Sequence, residues 1–233
     1  MQSDLLRPTT NRRNFLGKLA LGAGAAGVAS LAFPFNLSAT PKSPQSAPDD
    51  PDAWFNKING KHRMVFDVTG PHGIFPFAWS RVFLVTNQQT GSPEKDTNVV
   101  VVLRHEAIPF AMEDRLWAKY KLGEAKKIID PSTGAPSVRN MFWQPKPGDF
   151  NIPGIGDAHI GINELQSSGV MFCVCNMAIH VLGNVIGSQS GTDPNEVIKD
   201  VLSGILPGIE IVPSGVWAVG RAQEHKCSYC FVG

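Results

Sequence analysis

The sequence lacks an excess of charge of either sign. Its 21 Lys and Arg stand against 20 Asp and Glu, for a formal net charge of +1. A near-neutral chain gives no electrostatic footprint for nucleic acid, and no such partner is expected. It also lacks an apolar run as long as a bilayer span, which needs about 20 residues. The stretch Leu19 to Phe35 is uncharged but short, and rich in Ala and Gly. No cysteine comes directly after that stretch, which argues against a lipoprotein anchor. No internal repeat is present, and no cysteine precedes Cys173. What is there in quantity is apolar: 42% hydrophobic against 18% charged residues is enough to bury a core and excludes disorder of the whole chain.

The N-terminus reads as an export signal. Asn11-Arg12-Arg13-Asn14-Phe15-Leu16 is polar and doubly basic, the apolar stretch follows, and Leu37-Ser38-Ala39 offers a small residue for cleavage. This n-, h- and c-region layout with paired Arg12 and Arg13 is similar to the twin-arginine (Tat) consensus. Residues 1–39 are therefore expected to direct the protein to the periplasm or otherwise outside the cytoplasm. Membrane contact is expected only through this signal, if it stays uncleaved. Residues 40–60, with Pro41, Pro44, Pro48 and Pro51 among Ser and Asp, read as a disordered tether.

From residue 61 the pattern alternates. Apolar runs at Met64–Val68, Asn98–Leu103, Val170–Cys175 and Ile209–Val212 predict strands, with Cys227–Val232 as a final short one. The four consecutive valines within Asn98–Leu103 have no polar face, as in a parallel strand covered on both sides. Helical spacing predicts helices over Ile74–Gln89, Glu106–Leu122, Ile160–Ser167, Met177–Ile186, from Asp193 onward, and Val216–His225. The expectation is a single α/β domain with a mostly parallel sheet flanked by helices. Residues 125–160 interrupt it as a long Pro- and Gly-rich insertion around Met141-Phe142-Trp143, either a lid, a partner surface or an outer layer.

Chemistry concentrates in the last third. Cys175 ends a strand and begins a helix, where free backbone N–H groups favour a thiolate. It lies at the carboxyl end of a strand, where open parallel sheets bind ligands. Cys173, two residues earlier, is expected to share its face. Cys227-Ser228-Tyr229-Cys230 supplies a second pair, as resolving thiols or an internal disulfide. Cys173, Cys175, Cys227 and Cys230 could together hold a soft metal instead, or simply pack. Haem attachment is excluded because Phe231, not His, follows Cys230. His105 follows the valine strand and is a candidate proton carrier; His72 is a second. His180 and His225 read as structural. Asp67, a carboxylate inside an apolar strand, requires a partner or a use.

With these residues in view, Arg63 to Val232 resembles the DsrE/DsrF-like family of sulfur-relay proteins. The likeness rests on Val65-Phe66-Asp67-Val68, on Val99 to Leu103 with His105, and on Gly169-Val170 through Phe172 to Cys175-Asn176. Its most specific part is Leu206-Pro207-Gly208-Ile209-Glu210-Ile211-Val212-Pro213-Ser214-Gly215-Val216, followed by Gln223 and Tyr229. The resemblance implies a parallel-sheet fold, a homotrimer or homohexamer, and Cys175 as the carrier of a persulfide passed between donor and acceptor proteins. It implies no cofactor beyond that sulfur, with a metal left open. Cys173, Cys227 and Cys230 depart from the family pattern, as does the export signal.

Overall fold

The computed structural model describes residues 52–154 and 156–232. The expected signal, with Arg12 and Arg13, and the tether up to Pro51 lie outside the described residues. The rest is α/β, with a five-stranded parallel sheet flanked by helices. The strands are β1 (His62–Val68), β2 (Thr97–Leu103), β5 (Met171–Cys175), β6 (Ile209–Val212) and β7 (Ser228–Val232). A two-residue hairpin, β3 (Asn151–Ile152) and β4 (Gly156–Asp157), lies in the insertion. The helices are α1 (Phe75–Gln89), α2 (Asp114–Lys119), α3 (Leu122–Ala125), α4 (Ile162–Ser167), α5 (Asn176–Ser190), α6 (Pro194–Ser203) and α7 (Gly215–Glu224).

Spatial order is β6-β5-β2-β1-β7. The chain steps outward from β1 through β2 and β5 to β6, then crosses back to place β7 on the far side of β1. Parallel crossovers are right-handed, so outward steps and the return step put their helices on opposite faces. Two cores follow. The larger holds Phe66, Val101, Leu103, Phe172 and Val174 under residues of α1 to α6. The smaller holds Val65, Val100, Val102 and Cys173 under Ala218 and Ala222 of α7. The valines of β2 alternate between the two, which is why that strand carries no polar face. Cap chemistry sets two helix starts: Asp193 accepts from Asn195 N–H ahead of Pro194, and Ser214 accepts from Trp217 N–H. Among the described residues no helix is long and apolar enough to cross a membrane.

Three expectations need correction. The helix predicted over Glu106–Leu122 is broken into a 3-10 segment, His105–Ala111, then α2 and α3. Pro109 lacks the N–H an α-helix needs, and Met112 leaves the helical path to bridge Ile205. The tether ends earlier than residue 60. Trp54 and Phe55 stack edge to face, and Phe55 and Ile58 are buried in the smaller core beside Trp217. The apolar side chains within Asp52–Gly60 supply the burial that the Pro-rich part cannot.

The insertion, thirdly, is a wall of the domain rather than an outer layer. Met141 and Phe142 belong to the larger core, where Phe142 stacks on Phe150 at 4.9 Å and meets Phe77 at 4.2 Å. Buried Asn140 ties it down, its Nδ2 donating to Phe110 and Met112 carbonyls at 2.8 and 3.0 Å. The Arg139 guanidinium donates to the Asp130 carboxylate at 2.7 and 3.2 Å. That contact, with help from Ser132, holds the Asp130 carboxyl down to about 2.

Phe55→Ala should therefore cost about 3 kcal/mol in urea unfolding of the full chain, as for a buried aromatic, whereas a true tether residue would cost nothing. Asp130 is depressed in the folded state, so its contribution is complete above the ordinary carboxylate value of 3.8 and is lost as pH falls towards about 2. Asp130→Asn should be less stable than the parent at neutral pH by on the order of 2 kcal/mol. Urea midpoints should converge as pH drops through that window.

Candidate functional site

All five strands end at one edge of the sheet, and the groups that could do chemistry are sorted by their distance from it. Asp67 is one residue from the end of β1, on the face covered by α7, and nearly inaccessible. An isolated carboxylate there would be costly, so it must be paired. Arg104, just past β2, donates to both its oxygens, Nε to Oδ1 at 2.6 Å and an Nη to Oδ2 at 2.8 Å. Tyr229 Oη donates to Oδ2 at 2.9 Å. Register explains the meeting. Val102 pairs with Asp67, and Arg104 lies two residues beyond it on the same face. Tyr229 pairs with Val65, two residues before Asp67.

The hydrogen bonds to Asp67 raise the Arg104 guanidinium above its ordinary value, with smaller contributions from the Tyr229 and Cys175 side chains. Burial, then the bond to Asp67, raises the Tyr229 phenol. α7 starts against this group. A Cβ on Gly215 would lie 2.6 Å from the Arg104 Cβ, so only glycine lets the N-terminus of α7 come this close.

Cys175 is at the same edge. It is the N-cap of α5, with its Sγ accepting from Ala178 N–H at 3.3 Å, and it is 7% exposed. The positive end of a 15-residue helix and the Arg104 guanidinium both act on this sulfur. Next to it, Asn176 Oδ1 is buried and has no hydrogen-bond partner among the described residues.

The other predicted residues are placed differently. Cys173 does not share a core with Cys175: it is fully buried in the smaller core, whereas Cys175 turns with the chain and packs in the larger one. Strand alternation stops applying where a residue becomes a helix cap. Burial raises the Cys173 thiol far above its ordinary value and keeps it from reagents, which weighs against a nucleophilic role. Cys227 precedes β7, at the opposite edge of the sheet, and burial pushes its thiol up to about 11. It is therefore not placed to resolve chemistry at Cys175. Cys230 is half-buried and leans on the larger core, while Cys227 sits in the smaller. All four cysteines are free thiols, and the sheet keeps them from forming one cluster. Among the described residues no group of three or more His, Cys, Asp or Glu is arranged to hold a metal ion.

His105 is at the right edge, in left-handed backbone (φ 53) and exposed, with Nδ1 3.9 Å from Glu106. It shares a cavity of about 180 Å³ with Ala178, Val181 and Leu182 of α5. His72 is exposed in the turn after β1, His180 is exposed on α5, and His225 stacks against Phe55 at 6.1 Å. Arg104 and Tyr229 were the functional residues that sequence reasoning missed. The available signal was the unpaired Asp67 itself: the residue that answers it had to come from the end of a neighbouring strand.

No family model matches the chain, and no curated protein matches it. Among solved structures, a protein of unknown function from Methanobacterium thermoautotrophicum is 19% identical, with 73% of this chain and 99% of the other covered and a TM-score of 0.33. At that level the likeness carries no argument about the site.

Removing one partner of a buried ion pair strands the other. Arg104→Met should cost about 3 kcal/mol in urea unfolding, and Asp67→Leu combined with it should recover most of that loss. A double variant no more stable than Arg104→Met would show that the pair does not hold the strand ends together.

Proposed function

We propose that this chain is an exported, DsrE-like protein that carries sulfur or exchanges thiols through Cys175. The observation that supports this best is the setting of that one thiol. It is the cysteine at the carboxyl edge of the sheet, capping a long helix, with Ala178 N–H on its sulfur and the Arg104 guanidinium within electrostatic reach. Positive charge at that point favours a sulfur that must bear negative charge when it attacks and when it leaves. Its low exposure favours a small or extended donor group over a bulky one.

In the sulfur-carrying step the Cys175 thiolate attacks the outer sulfur of a donor persulfide, R–S–SH. A Cys175–S–SH bond forms, the donor S–S bond breaks, and the donor leaves as R–S⁻. No outside oxidant or reductant is needed. Delivery is the same step in reverse toward an acceptor thiol. Asp67 and Tyr229 hold Arg104 in place and act through it as positioning residues. His105, which lines a cavity with Ala178 of the first turn of α5, is the candidate proton carrier.

The reading includes a homo-oligomer, a trimer or hexamer. Phe75, Trp79 and Val82 line one exposed stripe of α1, and Met177, Val181 and Val185 another on α5, apolar surfaces of the kind subunits cover. Periplasmic location rests on Arg12, Arg13 and the apolar stretch after them.

The test is intact mass of the full chain after incubation with a small persulfide donor such as glutathione persulfide. The expected product gains one sulfur, loses it to dithiothreitol, and does not form on Cys175→Ser, while Cys230→Ser loads normally. Arg104→Gln should load more slowly. Full loading of Cys175→Ser would overturn the reading.

A further inference from the structure

A second cavity, of about 460 Å³, opens on the side of the larger core. Its rim is the turn after β1, at Pro71 and Gly73, and its walls are Ile74 and Phe110 of the main fold with Ile128, Phe142, Phe150 and Ile152 of the insertion. The volume is that of a small-molecule site, and its place outside the end of a strand is where open α/β sheets hold ligands. The insertion builds half of it, and its Phe142 and Phe150, stacked on each other, contribute to the lining.

Two charged residues reach this lining, Lys127 and Asp149. Asp149 is already answered: its Oδ2 is 3.6 Å from the Arg139 guanidinium and accepts from Lys146 N–H at 3.0 Å. Lys127 is exposed to solvent, and its ammonium has no ion pair or hydrogen bond among the described residues. The cavity thus presents apolar and aromatic walls with one unanswered cation. A neutral apolar guest would leave that charge unused, and a cationic guest would be repelled by it.

We propose that this cavity binds a small organic acid with an aromatic or branched-aliphatic body, its carboxylate meeting Lys127. This site does not depend on the chemistry assigned to Cys175. It gives the insertion a purpose: the buried aromatics that fasten it to the core also form the pocket.

The test is calorimetric titration of the full chain with three probes of one shape: 4-phenylbutyrate, 4-phenylbutan-1-ol and 4-phenylbutylamine. The acid should bind best, the alcohol roughly fivefold more weakly for the loss of a partly exposed charge contact, and the amine most weakly. Lys127→Gln should erase the advantage of the acid over the alcohol. Ile129→Trp, placed at a half-exposed lining position, should abolish binding of both while thermal unfolding stays unchanged. Absence of binding by all three probes, equal binding of acid and amine, or an acid preference that survives Lys127→Gln would each overturn the proposal.

Discussion

A single carboxylate inside an apolar sheet organises the carboxyl edge of that sheet. Asp67 cannot reach water, so it has to be satisfied by neighbours, and they can come only from strands beside β1. β2 supplies Arg104 and β7 supplies Tyr229. The three residues come from positions 67, 104 and 229, so the pairing closes the sheet across most of the chain. It also fixes a guanidinium at the strand ends in one orientation, because two hydrogen bonds to a carboxylate leave it little freedom. The approach of α7 over Gly215 and the cap at Cys175 are both arranged around that fixed charge.

The crossing from β6 back to β7 is what makes this arrangement possible. Had the last strand continued outward beyond β6, Tyr229 would lie at the far side of the sheet from Asp67. Returning over the opposite face instead brings β7 beside β1 and lays α7 across the sheet. The same return separates the cysteines. Cys227 comes at the start of β7 and Cys175 at the end of β5, and parallel strands put a start and an end at opposite edges. A pattern of two cysteine pairs that suggests cooperation in sequence is therefore divided by topology.

Strands were legible because burial on both faces leaves a simple mark: the valines of β2 and the Met-Phe-Cys-Val-Cys run of β5 have no polar period to misread. The helix that begins at Pro194 was legible for a similar reason, since Asp193-Pro194 carries its start signal locally. Long-range partners were not. Nothing near Arg104 in the sequence points to Asp67, and the order β6-β5-β2-β1-β7 is a choice among several that the same elements allow. Pro109 breaks a helix that the apolar spacing around it predicts. Phe55 was hidden by its neighbours, because a Pro-rich segment was read through to its end although one aromatic at its border suffices to anchor it.

The environments of the four thiols follow from these constraints and rank them chemically. Cys173 is sealed between β2, β6 and α7, where burial keeps a thiol protonated and no reagent reaches it. Cys227 is buried at the wrong edge, and the nearby Arg63 only partly offsets the cost of charging it. Cys230 has access but leans on apolar neighbours. Cys175 alone combines the strand-end position, a backbone N–H on its sulfur and a guanidinium held by a buried carboxylate. Reactivity of a cysteine depends on the charge and access around it more than on the spacing to the next one. By that measure the adjacent Cys173 and the Cys227/Cys230 pair stabilise the sheet by packing, and the burden of any sulfur chemistry falls on the residue at which β5 becomes α5.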